Sequence, residues 1–394
     1  MASEKISDGF KSNVFCWKIC ALWIFQIKNK YYKYYAIPLL VVIFVGYNVL
    51  LTLNLIYTPR NLEKFIPELI FYFCEVQNVF KVYVVTIKSK QIKEVFNLLD
   101  SDIFIGDTQE HKAITQSYKF LYIKCFNIYC VMCHMAYIHV ALPFLIHLIF
   151  GKNLDLPICN YYFLSDEFRE NSFWLIWWYQ AVSSYFHMFY NITIDTFISG
   201  LLLMGIAQFK ALNSSLINIK ETSLDHLNCM EKDDHLQKQL LKCLKHYDLL
   251  LQYCSLIQEL CNPAMFVQFG IGAASNCVTL AALLLPLPTY EQIFIVFYGS
   301  VMAIEIFMPG YLGSQLRHES EQVIRAVYQS DWIDRSETFK RTLKLLVERA
   351  QKPVIMTAYS IISLSLSTFI SIMKTAYSSY TLLRAVHTRN NVDQ

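Results

Sequence analysis

The sequence predicts an all-α protein of seven transmembrane helices, with a cytosolic N-terminus, an extracellular C-terminus and helices extended into a cytosolic anchor bundle. Three observations predict it. Hydrophobic residues make up 55% of the 394 and charged residues 16%; an ordinary soluble domain has about 25% charged residues, so too little charge is present to coat a soluble core of this size. Seven apolar stretches are each long enough to cross ~30 Å of hydrocarbon, which takes about 20 helical residues. Lys and Arg, finally, are segregated between alternate connecting segments.

The stretches run in order as follows. The first, 34–57, carries no charge and is too long for a signal-peptide core, so an uncleaved anchor is expected. The second, 65–87, holds Glu75 and Lys81. The third, 121–150, is charge-free after Lys124, and the fourth, 173–209, is interrupted only by Asp195. The fifth, 262–287, has no charge, and the sixth, 293–316, contains Glu305. The seventh, 353–386, has Lys374 inside. The chain thus divides into an N-terminal segment (1–33), spans 1–4 (34–209), anchor helices (210–261), spans 5–6 (262–316), a further anchor helix (317–352), helix 7 (353–386) and a short tail (387–394).

Orientation follows from the basic residues, which accumulate on the cytoplasmic side of short loops. Of the 34 Lys and Arg, 25 fall in 1–33, 88–120, 208–261 and 313–352, and five in the alternate segments. The N-terminus is therefore inside and the C-terminus outside, opposite to a G-protein-coupled receptor. The inside segments are patterned. Leu236, Leu240, Leu244 and Leu251, and then Val323, Val327, Phe339, Leu343 and Leu346, fall at helical spacing. They predict amphipathic helices that prolong spans 4, 5 and 6 below the membrane. Residues 13–26, with Trp17, Lys18 and Trp23, read as a short helix lying on the inner membrane interface.

Several function classes are excluded. A net charge of +3 gives no footprint for nucleic acid. Walker, G-x-G-x-x-G, G-x-S-x-G and H-E-x-x-H patterns are absent, so neither an enzyme nor a cofactor or metal is expected. Of twelve cysteines only Cys159 falls in an extracellular loop, which argues against a disulfide framework. Cys130 and Cys133, inside an apolar helix, read as buried thiols. A secondary transporter, supported by Glu75, Lys81, Asp195 and Glu305, is not excluded and stands as the alternative of a different class; such transporters usually show internal repeats and broken helices, and neither is visible.

Two constellations point to function. Ser360, Ser363, Ser367, Ser371, Lys374, Ser378, Thr381 and Ala385 recur at steps of three and four, forming one small or polar stripe on helix 7. Close helix packing explains such a stripe, and so does a water-filled path; Lys374, costly in lipid, weighs toward water for the later half. Leu382 and Val386, four apart, suit either packing or a hydrophobic constriction. Aromatics gather in the outer half: Phe71 and Phe73 on helix 2, Tyr137 with His139 on helix 3, Trp174, Trp177, Trp178 and Tyr185 on helix 4, Phe294 and Tyr298 on helix 6. Part is an interfacial belt; as a group they are candidates to line an apolar cavity for a small hydrophobic ligand.

From helix 5 onward the residues resemble a known family. RAQKP at 349–353, LSLSTF at 364–369 and KTAYSSYTLL at 374–383, with Glu319-Ser320, Ala326, Tyr328 and Trp332 upstream, look like the C-terminal signature of insect odorant receptors. Ser379-Tyr380 departs from it, where many relatives have Tyr then Phe. The resemblance covers about a quarter of the chain. It implies a plasma-membrane, ligand-gated, non-selective cation channel that needs no G protein. Four subunits would surround a central pore, and this chain would be the odorant-tuned subunit beside the co-receptor Orco. The end of helix 7 would line the pore at Lys374, Ser378, Thr381 and Ala385, with Leu382 and Val386 at its gate. A volatile odorant would bind in the outer half among helices 2 to 6. A gustatory-type channel of the same superfamily is the near alternative, and the Trp and Phe content argues against it.

Overall fold

The computed structural model describes residues 5–27, 29–151, 154–220, 229–286 and 289–392. After a 3-10 turn comes α1 (Lys11–Ile19), within the segment expected at the inner interface. It docks into the protein. Trp17 is fully buried and its indole donates to Thr193 Oγ1 at 3.2 Å, while Asn13 donates to the Thr193 carbonyl at 2.7 Å and accepts from the Tyr122 hydroxyl. Trp17 stacks on Trp23. Trp17 thus finds polar and aromatic partners inside the bundle.

The first span is continuous from Lys30 to Tyr57. α2 (Lys30–Leu39) passes through a π-helical segment (Leu40–Gly46) into α3 (Tyr47–Tyr57). Pro38 precedes the widened turn; a proline inside a helix removes one backbone bond and crowds the preceding turn. α4 (Leu62–Ile87) is the second span, and α5 (Ser89–Leu99) and α6 (Asp102–Ile105) follow it on the predicted cytosolic side. The third span, α7 (Gln109–Phe150), starts twelve residues before the expected 121, because Thr108 caps it by accepting from His111 N at 3.2 Å.

A loop and the short α8 (Asp166–Asn171) lead to α9 (Phe173–Ile217), whose 45 residues extend ~67 Å, twice the hydrocarbon thickness. α9 is the central post. It packs against α4, α7, α10 and α11, and from Tyr190 to Phe209 nearly every side chain is buried. The longest helix, α10 (Cys229–Ala282), and then α11 (Thr289–Tyr328) likewise run past their apolar spans. Their extensions meet α12 (Glu337–Ala350) in a shared core that includes Leu236, Leu240, Leu250, Val323, Val327, Phe339, Leu343 and Leu346.

The seventh helix differs most from expectation. It does not begin at 353. Residues 353–365 form a small antiparallel hairpin, β1 (Thr357–Ala358) against β2 (Ile362–Ser363), and the helix, α13 (Leu366–Val392), starts thirteen residues later. Tyr359 and Ser360 turn the hairpin in the left-handed region, with φ of 49° and 59°. Side chains of α10 hold it: Gln258 accepts from Thr357 N at 2.9 Å and donates to the Thr357 carbonyl, and Asn262 accepts from Tyr359 N at 3.1 Å. Ser365 caps α13 by accepting from Thr368 N at 3.2 Å. Ser360 and Ser363 therefore drop out of the helical stripe.

On the opposite side of the bundle, the loop after α7 is plugged into the outer mouth. Gln180 accepts from the backbone N–H of Ile158 and Cys159 at 3.1 and 3.3 Å and donates to the Cys159 carbonyl at 2.8 Å. Asn54 accepts from Tyr162 N at 3.0 Å while donating to Glu68 at 2.7 Å. Burial pushes the Cys159 thiol well above its ordinary range, and nearby Glu68 adds to the effect. A buried neutral thiol is a poor nucleophile. Cys159 is therefore expected to resist a membrane-impermeant maleimide on intact cells, and Gln180→Ala, which removes the loop's anchor, to make it reactive. Equal labelling of both chains would show that Gln180 does not hold the loop.

Candidate functional site

Glu75, Lys81, Asp195 and Glu305, which the sequence left unpaired, all find partners. Lys81 of α4 is wholly buried where α4, α9 and α11 meet. Its ammonium lies 2.8 and 2.9 Å from the two Asp195 oxygens and also bonds Glu305 and Asn191. A charge in hydrocarbon survives when paired and hydrogen-bonded, so this cluster staples three helices. Six residues earlier on α4, Glu75 meets His187 of α9. The other His187 nitrogen, Nε2, lies 3.0 Å from the Ile43 carbonyl in the π-helical segment. A carbonyl only accepts, so Nε2 donates there, and Nδ1 faces the Glu75 carboxyl. That pair ties the first span to α4 and α9. His187 carried no sequence signal, because one histidine in an apolar helix has no periodicity to betray it. Asn191, also within the fourth span, is in the Lys81 cluster.

The predicted ligand-binding aromatics form two sets. Phe71, Phe294 and Tyr298 come together between α4 and α11, with ring centroids 5.7 to 6.1 Å apart. Between α7 and α9, Tyr137 lies 5.2 Å from Tyr185, and Phe144 lies 4.8 Å from Trp177 and 5.6 Å from Trp178. Trp177 is buried, whereas Trp174 and Trp178 are half exposed on the protomer surface, the position of an interfacial belt. Phe73 is half-buried and belongs to neither set. The side chain of His139 lies outside the described residues.

Between the two sets sits a mid-span group that sequence reasoning missed. Tyr129, Cys133, Ile192, Val301 and Met302 form it, with Cys74, Met188 and Tyr298 packed against it. Tyr298 belongs both to this group and to the α4–α11 set. Methionines and cysteines in an apolar helix look like any core residue, so only the packing reveals that α4, α7, α9 and α11 converge here on polarisable side chains.

On α13, Phe369, Ile372 and Ala376 turn toward α10 and α11; Phe369 meets Phe307 at 5.3 Å, and Ala376 is fully buried. The opposite face carries Ser367, Ser371, Lys374, Ser378, Thr381 and Ala385, all exposed, and Leu382 is 67% exposed beside them. The later stripe of the sequence is thus a continuous surface turned away from its own protomer. The side chain of Val386 lies outside the described residues.

Comparison with known proteins gives a consistent answer. A family model described as 7tm Odorant receptor matches residues 61–377. Odorant receptor 59a of Drosophila melanogaster is 23% identical over 393 residues, covering 95% of this chain and 96% of that receptor. Odorant receptor 10 of Aedes albopictus is 26% identical over 223 residues, 56% of this chain and little more than half, 58%, of that receptor. Among solved structures, the insect olfactory receptor OR5 of Machilis hrabei in complex with eugenol superposes with a TM-score of 0.84 at 15% identity, covering 97% of this chain and 98% of that one. A second structure of the same receptor gives a TM-score of 0.79. That likeness is one of fold, and the fold is the seven-transmembrane one expected from the apolar stretches. With its family pattern matched across most of its length, the chain is a member of the insect odorant receptor family.

Proposed function

We propose that this chain is the odorant-tuned subunit of a ligand-gated, non-selective cation channel in the plasma membrane of a sensory neuron, assembled as a tetramer with Orco. The observation that carries this reading is the exposed face of α13. Lipid does not solvate an ammonium and a row of hydroxyls, so a face with Lys374, Ser378 and Thr381 needs water or a neighbouring subunit. Four such faces around an axis enclose a polar path, and four copies of Leu382, with Val386 a turn further on, narrow it with apolar side chains that exclude water.

In this reading a small hydrophobic volatile binds in the outer half, against Tyr298 and the aromatics that flank it on α4, α7 and α9. It binds the open arrangement more tightly than the closed one, and that difference in affinity shifts the population toward open. α11 carries Phe294 and Tyr298 at its outer end and packs on α13 further along, so it is the element both events share. No G protein enters.

The test is whole-cell current from cells expressing the chain with and without Orco, against a panel of volatile esters, alcohols and terpenoids. An odorant-evoked cation current that survives block of G-protein signalling supports the reading. Leu382→Ala is expected to raise the unstimulated current several-fold and to lower the odorant concentration needed for half-activation. If Leu382→Ala, at normal surface density, leaves both unchanged, Leu382 is not at the gate. Absence of any current despite surface expression would overturn the channel reading.

A further inference from the structure

A cavity lies on the cytosolic side of the aromatic sets, among α7, α9, α10 and α11. Its volume is about 150 Å³ and its walls are apolar, chiefly Phe126, Tyr129, Met132, Met265 and Met308; Ile128, half exposed, flanks it. None of the nine aromatics and the one histidine predicted to bind ligand lines it. One wall is different, for Asp195 and Glu305 line the cavity from behind, and so does Gln268.

The charges of that wall do not balance. Lys81 brings one positive charge to two carboxylates, and Asn191 brings none. Asp195 and Glu305 are both buried, as is Gln268. Glu305 Oε2 and Gln268 Oε1 have no hydrogen-bond partner. Both are acceptors, so what is missing beside them is a donor, and with both carboxyls ionised the cluster is short of one positive charge. A buried carboxylate without a counter-charge must take up a proton or a cation.

We propose that this cavity is a binding site for a small protonated amine with an apolar body no larger than a benzene ring. Size and chemistry agree. A cavity of roughly 150 Å³ lined by apolar side chains takes benzene, and an ammonium group carries three donors and the missing charge. The apolar body lies among Met265, Met308 and Phe126, and the ammonium sits at Glu305. The site is separate from the outer aromatics and does not depend on the channel reading.

The test is thermal unfolding of the full chain in lipid nanodiscs, titrated with benzylamine and with its neutral isosteres benzyl alcohol and toluene. Benzylamine is expected to raise the melting temperature at a concentration at least about tenfold below that of either isostere, since only the amine makes a charge-assisted bond. Glu305→Gln leaves Lys81 and Asp195 balanced one to one, so the fold is expected to persist while the advantage of the amine disappears. Amine acting on the lipid would act equally on both chains. Should Glu305→Gln fail to fold, Met308→Trp, which fills the cavity from the apolar side, is expected to abolish the benzylamine effect. Equal potency of amine and alcohol on the wild-type chain, or an amine advantage that survives Glu305→Gln or Met308→Trp, would overturn the proposal; the third charge would then be met by a proton alone.

Discussion

Lys81→Met is expected to remove most of the folded chain from the cell surface. Methionine fits the space of the lysine stem, so the change acts through charge. It strands Asp195 and Glu305, both buried, with the neutral amides of Asn191 and Gln268 beside them. Removing one partner of a buried ion pair costs about 3–5 kcal/mol, comparable with the whole stability of many domains. Neutralising all three sites together, as Lys81→Met with Asp195→Asn and Glu305→Gln, is expected to recover most of the loss, because no charge is then left unmet. Surface biotinylation and melting in detergent read both. Wild-type surface density for Lys81→Met alone, or a triple variant no better than the single one, would mean the cluster is not a staple.

Gly313→Ala is expected to act about two helical turns beyond Glu305 on α11. A methyl group there would fall inside van der Waals contact of the Leu364 carbonyl, and at Gly310 it would lie 2.9 Å from the Ser365 carbonyl. Both obstacles are backbone, and both belong to the junction between the hairpin and α13. No side chain can swing aside, so the helix start itself must move. Overpacking of a tight contact costs about 1–3 kcal/mol, and the displaced element is the one that presents the exposed polar stripe. Loss of odorant-evoked current should therefore exceed the loss of surface protein. Gly270→Ala is the control: nothing lies within 4 Å of the added methyl, and alanine favours a helix by roughly 0.8–1.0 kcal/mol over glycine. If Gly313→Ala behaves like Gly270→Ala, α11 and the start of α13 are not tightly engaged.

The two variants bear on one element. α11 carries Phe294 and Tyr298 among the outer aromatics, Glu305 in the ionic cluster, and Gly310 and Gly313 against the hairpin. An event in the outer half reaches α13 through that helix only if the Lys81 cluster and the glycine contact move with it, and separate effects of the variants on affinity and on maximal current would measure each link.

Much of the architecture was legible in the amino-acid sequence, because a membrane imposes its demands locally. A span must be apolar for about 20 residues wherever it sits, so seven stretches were visible without knowing what they touch. The stripe of α13 from Ser367 onward was visible for the same reason: helical periodicity is a property of one segment. The hairpin at 353–365 was missed, although Met356, Ala358, Ile362 and Leu364 alternate in a period of two. The run is also apolar enough to pass for the start of a helix, and what decides against it is Gln258 and Asn262 on α10, about a hundred residues away. Docking of Trp17 against Thr193 was invisible likewise, since an interfacial tryptophan and a buried one have the same local sequence. The separation of the aromatics into two sets, and the partners of Lys81 and Glu75, belong to the same class. Local sequence determined which segments cross the membrane and which face of α13 is polar. Only the tertiary structure decided which charges pair, which aromatics meet and where the last helix begins, because those outcomes depend on the rotation and depth of one helix against another, and no single segment encodes them.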